Sequence, residues 1–148
     1  MGEAENGGRP IPAWLALLDH TADEGVDVRA GSMQELFARA AWAMFRLLTD
    51  MRCVRAAETM AVSVEASDRE ALMVRWLSEL NYLHQAKHKV FCRFEVREIS
   101  DTRLIAKIGG EAIGPEHRVF KEIKAVTFHG LRVEERDGEW CARILFDV

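Results

Sequence analysis

No apolar run in this chain approaches the roughly 20 residues that a membrane-spanning helix needs. The opening stretch, Met1 to Asn6, is acidic and polar, without the apolar core of a secretory signal. Asn6 also breaks the myristoylation pattern, which needs Ser or Thr there. Together these absences predict a cytoplasmic protein with no membrane attachment. The three cysteines, Cys53, Cys92 and Cys141, are widely spaced and form no CxxC pair, so they read as reduced thiols packed as small hydrophobes. There is no P-loop, no GxGxxG and no nucleophile elbow, and Gly109-Gly110 lacks the following Lys or helix that a phosphate site requires. His84 and His88 have zinc-ligand spacing, but Gln85 stands where a zinc protease needs its general-base Glu. They read instead as histidines favoured by the negative end of a helix dipole. Positive charge is not in excess: the formal net charge is −4, which gives no general drive toward nucleic acid and suits a protein partner better.

What is present is enough apolar sequence for one core. The chain has 148 residues, 49% of them hydrophobic and 30% charged, which predicts a single domain that needs no disulfide or metal staple. No internal repeat or interdomain linker interrupts it. Residues 1–12, rich in Gly, Glu and Pro, read as a mobile tail ahead of a domain over 13–148.

Hydrophobic periodicity divides that domain. Trp14 to Leu18 reads as a strand, and Gly25 to Gly31 as another through Val26, Val28 and Ala30. Ser32 and Glu35 form a capping box ahead of a helical stripe from Met33 to Leu48. Met60, Val62, Val64 and Ala66 alternate as a strand. Ser67 and Glu70 suggest a second capping box, followed by a helix over about 68–86 with Leu72, Met73, Trp76, Leu77, Leu80, Leu83 and His84 on one face. The remainder is β: Cys92 to Val96, Leu104 to Ile108, a loop bracketed by Gly109-Gly110 and Gly114-Pro115, and a long strand from Ile123 to Glu134. That strand, apolar on both faces near Val126 and Phe128, reads as central. Asp137-Gly138 turns the chain into a final strand with Trp140, Ala142, Ile144 and Phe146 on one face. The expected class is α+β, two amphipathic helices packed on mainly antiparallel or mixed sheet.

Two acidic segments stand at opposite ends of this domain. Asp19-His20-Thr21-Ala22-Asp23 follows the first strand, and Phe146-Asp147-Val148 closes the sequence. If the fold brings them together, Asp23, Asp147 and the carbonyl or terminal carboxylate of Val148 supply a partial oxygen set for Ca²⁺, with Mg²⁺ or Mn²⁺ as competitors. The alternative for Asp23 is a turn residue whose side chain accepts a backbone N–H. Arg118, Lys121 and Lys124, interleaved with Glu116 and Glu122, read as a solvated strand face or as a local patch for a phosphate or acidic partner.

Five segments, in order, resemble the archease family: Asp19 to Asp23 with Gly25, Leu36 to Phe45, Trp76 to Leu83, Lys124 to Leu131, and Trp140 to Val148. The likeness covers about residues 14 to 148. It implies an accessory protein, itself not an enzyme, that activates an RtcB-type RNA ligase in tRNA splicing and RNA repair by promoting ligase guanylylation and multiple turnover. RNA would be met only indirectly, through the ligase. The resemblance also implies a divalent cation, usually calcium, held at the positions of Asp23, Asp147 and Val148, the last through main-chain oxygen. Asp19, His20, His117, Lys124 and His129 follow as candidate supporting or partner-contact residues. The chain departs from the family in having Gly114 where Asp is frequent, and Ser78 and Asn81 vary a typical Trp-Leu-Asn-Glu-Leu-Leu pattern. A stand-alone metal-dependent hydrolase and a general chaperone are the competing functions. The first requires turnover by the protein alone, the second an exposed apolar patch.

Overall fold

The computed structural model describes residues 11–19 and 23–148. Most of the expected tail therefore lies outside the described residues, and Ile11 already packs against the core. The elements are β1 (Leu15–Asp19), β2 (Asp23–Ala30), α1 (Met33–Leu48), a 3₁₀ turn (Met51–Cys53), β3 (Glu58–Glu65), α2 (Arg69–Lys87), β4 (Lys89–Ile99), β5 (Arg103–Ala112), β6 (Ala125–Arg136) and β7 (Glu139–Asp147). The strands form two antiparallel sheets, ordered β1-β2-β7-β6 and β3-β5-β4. The class is α+β, as the periodicity implied. Helix α1 packs on β4, β2 and β7, and α2 packs on β6 and β3, so each helix joins the two sheets.

The helical stripes make the core. Leu36, Phe37, Ala40, Met44, Phe45 and Leu48 of α1 meet Leu72, Met73, Trp76, Leu77 and Leu80 of α2, all fully enclosed. A buried indole N–H needs an acceptor, and Trp76 Nε1 donates to the Phe37 carbonyl at 2.8 Å. Phe45 is an aromatic hub, edge-on to Phe91 and His84 and stacked with Phe94.

The capping is only partly as expected. Ser32 Oγ accepts from the Glu35 N–H at 3.1 Å, but the Glu35 carboxylate reaches back one residue further, to the Gly31 N–H at 2.9 Å. At α2 the cap is Asp68, which accepts from the Ala71 N–H at 2.8 Å. A cap bonds the backbone two or three residues on, and Asp68 stands one residue nearer than Ser67. Helix α2 ends at Lys87, and His88 turns the chain with φ 56°. The two histidines therefore do not share a helix face.

Three β readings are corrected. Gly109-Gly110 does not open a loop but lies inside β5, opposite a register shift in β4 between Phe91 and Arg93. A Cβ on Gly110 would come within 2.0 Å of the Val90 carbonyl oxygen, so glycine here marks close backbone approach rather than a turn. The strand expected to be central, β6, is an edge strand, and β2 and β7 are interior. Phe128 is accordingly 62% exposed. It lies in a bulge where five residue steps on β6, Thr127 to Arg132, span two on β7, Leu145 to Arg143. The stretch carrying Arg118, Lys121 and Lys124 is a connection outside the named strands, not a strand face. It is pinned by Asn81 and Gln85 side chains, which both donate to the Ile123 carbonyl. The Asp137-Gly138 turn is as expected, with φ 53° and 81°, the pair of positive values that a type I′ hairpin demands. No disulfide joins the three cysteines, but Cys53 is exposed rather than packed.

His84 gives the fold an acid-sensitive contact. Its Nδ1–H donates to the Lys89 carbonyl at 2.8 Å, and burial holds its pKa below the ordinary value of 6.5. Below pH about 6.5 the unfolded chain takes up a proton there that the folded chain resists. The unfolded state thus binds more protons, and stability falls as pH drops through that range. Thermal unfolding at pH 7.5 and 5.5 is expected to show a larger loss for the native chain than for His84→Gln, and equal losses would exclude His84 as the cause.

Candidate functional site

Register places the candidate residues. Antiparallel pairing of β2 with β7 runs from Ala30 opposite Trp140 to Asp23 opposite Asp147. Two acids separated by nearly the whole sequence thus face each other on the last rung of the ladder, with Val148 next along. Asp23 belongs to a strand, not to a turn. On the other side of β2, Asp19 lies opposite Glu24. His20 lies outside the described residues.

Hydrogen bonds from the connection between β5 and β6 close this end of the sheet. The Lys124 N–H donates to the Asp147 carbonyl at 2.7 Å, and the Lys121 ammonium pairs with the Glu24 carboxylate. The Lys121–Glu24 pair was not legible in the sequence, because its partners lie 97 residues apart. The ladder then turns apolar. Gly25 lies opposite Leu145, and a Cβ there would sit 2.5 Å from Leu145 Cδ2. Gly130, in the β6 bulge at φ +66°, also approaches Leu145. The bulge therefore leans over this sheet face, carrying exposed Phe128 and His129.

His117 does not reach this edge as a free side chain. Its ring is enclosed: Nδ1 accepts from the Gly114 N–H at 2.9 Å, so Nε2 carries the proton and donates to Glu111 at 2.9 Å. The Arg55 backbone N–H, then His117, hold the Glu111 carboxyl below its ordinary range. Among the described residues, Glu111, Glu116 and His117 form a group with metal-ligand atoms within 4.8 Å of one another. Both ring nitrogens are already committed, so the group works as a clasp on the segment after β5. An Asp in place of Gly114 would crowd the Glu116 carboxylate, which lies 2.5 Å from the position of a Cβ there.

The family model of the archease protein family (MTH1598/TM1083) matches residues 16–148. The chain belongs to the archease family. "Protein archease" of Methanopyrus kandleri is 34% identical over 137 residues, covering 88% of this chain and 96% of that relative. The protein of the same name from Methanothermobacter thermautotrophicus is 37% identical over 133 residues, covering 88% and 95%. Among solved structures, Methanobacterium thermoautotrophicum protein 1598 matches with a TM-score of 0.76 at 34% identity, over 91% of this chain and 99% of that one. A Thermotoga maritima protein, described as an archease and possible chaperone, shares the fold with a TM-score of 0.57 at 20% identity, over 88% and 94%.

In this archease-family chain the donor set at the last rung suits a hard cation. Asp23 and Asp147 are directly opposed, and like charges so placed destabilise a ladder unless something neutralises them. Carboxylate and main-chain oxygens are the ligand types that calcium takes.

Proposed function

We propose that this archease-family protein is an activator of an RtcB-type RNA ligase, in tRNA splicing and RNA repair, and acts in the cytoplasm without catalysing a reaction of its own. The observation that carries the reading is the register that sets Asp23 opposite Asp147 in a chain of this family. Asp23, Asp147 and the main-chain oxygen of Val148 would hold a divalent cation, calcium by preference. When bound, the cation supplies a fixed positive charge that can attract phosphate or carboxylate groups of the partner. The chain's own residues do the rest. The two aspartates would supply carboxylate oxygens, and the Lys124 N–H holds the Asp147 backbone in place. Phe128 and His129, exposed in the β6 bulge, would meet an approaching ligase. An activator accelerates a reaction only by favouring the transition state or the competent conformation over the resting one, so this surface must bind the competent ligase more tightly.

Ligase turnover with RNA in excess over enzyme, with and without this protein, tests the reading. Many turnovers per ligase are expected with the protein and about one without. Equal turnover in both would remove the proposed activity. Product formation by the protein alone would point to a hydrolase.

A further inference from the structure

The sheet face that begins at Asp23 and Asp147 changes sign along its length. On β7, Asp147, Leu145, Arg143 and Cys141 share one face by their period of two. Four residue steps separate Asp147 from Arg143, roughly 13 Å at the rise of a strand. Arg143 lies opposite Asp27 on β2 and opposite Arg132 on β6. Here the face hollows into a cavity of about 390 Å³, within the range of small-molecule sites. Arg29, Arg132, Arg136 and Arg143 line it against two carboxylates, Asp27 and Glu134. The excess is two positive charges, in a chain whose net charge is −4.

The arginines are held in different ways. Asp27 grips Arg143 through two hydrogen bonds of 2.8 Å, which fixes the plane of the guanidinium. Arg29 is tied to the Ala13 carbonyl at 2.7 Å, and Arg136 pairs with Glu134 at 2.9 Å. The Arg132 side chain makes no hydrogen bond or ion pair among the described residues; it is exposed and lines the hollow, with its donors uncommitted. Trp14 forms part of the wall, its indole braced by Trp42 at 5.5 Å and by the Arg39 guanidinium at 4.9 Å. Arginine forks recognise phosphate in a plane, and an aromatic wall suits a base.

We propose that this hollow binds the phosphate and base of one nucleotide, either free or at the end of an RNA strand. The inference rests on the activator reading only for the choice of ligand. It departs from the expectation that RNA is met solely through the ligase, because the contact is made by this chain itself. A nucleotide seated here places its phosphates on the same face as the Asp23–Asp147 rung, so one strand, β7, links the cation end to the nucleotide end.

Binding to the full-length protein without ligase, in the presence of a chelator, tests the proposal independently of activation. Two probes separate the sources: GTP, and a fluorescent single-stranded RNA decamer with a 3′-phosphate. Saturable binding of at least one is expected, weakened tenfold or more by Arg132→Glu, largely restored by Arg132→Lys, and unchanged by Arg75→Glu on the exposed side of α2. Bound probe should also slow alkylation of Cys141, which lines the hollow, but not of exposed Cys53. Affinity should fall with added salt, as phosphate contacts dictate. Failure of both probes to bind, or binding indifferent to Arg132→Glu and Arg136→Glu, overturns the proposal and leaves the activator reading standing. Loss of ligase stimulation with nucleotide binding intact would do the reverse.

Discussion

Asp147→Ala is expected to abolish stimulation of ligase turnover while leaving the fold intact, and Asp23→Ala is expected to do the same. Asp147 is exposed at the end of β7. The hydrogen bond that anchors it uses its carbonyl, which the substitution keeps. Exposed substitutions away from caps and buried partners change stability by about 0.5 kcal/mol or less, and removing one of two opposed like charges offsets part of even that. A large functional loss with a small stability change is the signature of a site rather than of a structural support. Turnover with excess RNA, read beside thermal unfolding of each variant, separates the two. Full stimulation by both variants would make the acidic rung irrelevant to activity.

Gly110→Ala should have the largest effect on stability. The added Cβ would lie 2.0 Å from the Val90 carbonyl oxygen and 2.8 Å from Phe91 Cα. Both are backbone atoms, so no side chain can swing aside. Overpacking a well-filled site typically costs about 1–3 kcal/mol, and a clash with two backbone atoms of β4 should exceed that range. Relief requires β4 and β5 to part where Phe91 pairs with Gly110, and Phe91 packs edge-on against Phe45 at the centre of the core. Chemical denaturation should show a midpoint far below that of the native chain, or no soluble product. A native-like midpoint would mean that β4 and β5 are not joined as described.

The contrast between these two positions shows what the sequence could reveal. Period two and period 3.6 are local, so the helices, the Ser32 cap, the Asp137-Gly138 turn and the inward face of β7 were all legible. Sheet order is not local. Ile123 to Glu134 looked central because it is apolar on both faces, but Phe128 owes its place to a bulge on an edge strand, not to burial on two sides. Gly109-Gly110 looked like a loop because the usual use of paired glycines is conformational, whereas here their use is to let β4 approach. The acids could be nominated from their positions at strand ends and from the family's motifs. That they meet depends on β2 pairing with β7, which the string does not display. The arginine hollow is illegible in the sequence for the same reason. Arg29, Arg132 and Arg143 look like ordinary outward-facing strand residues until the register sets them side by side.

Calorimetric titration of calcium into the isolated protein, stripped of metal beforehand, tests the central claim most directly. One cation per chain is expected for the native sequence, with binding lost in Asp23→Asn and in Asp147→Asn, since an amide keeps the shape but not the charge. No binding to the native protein, or equal binding by all three, would contradict the account.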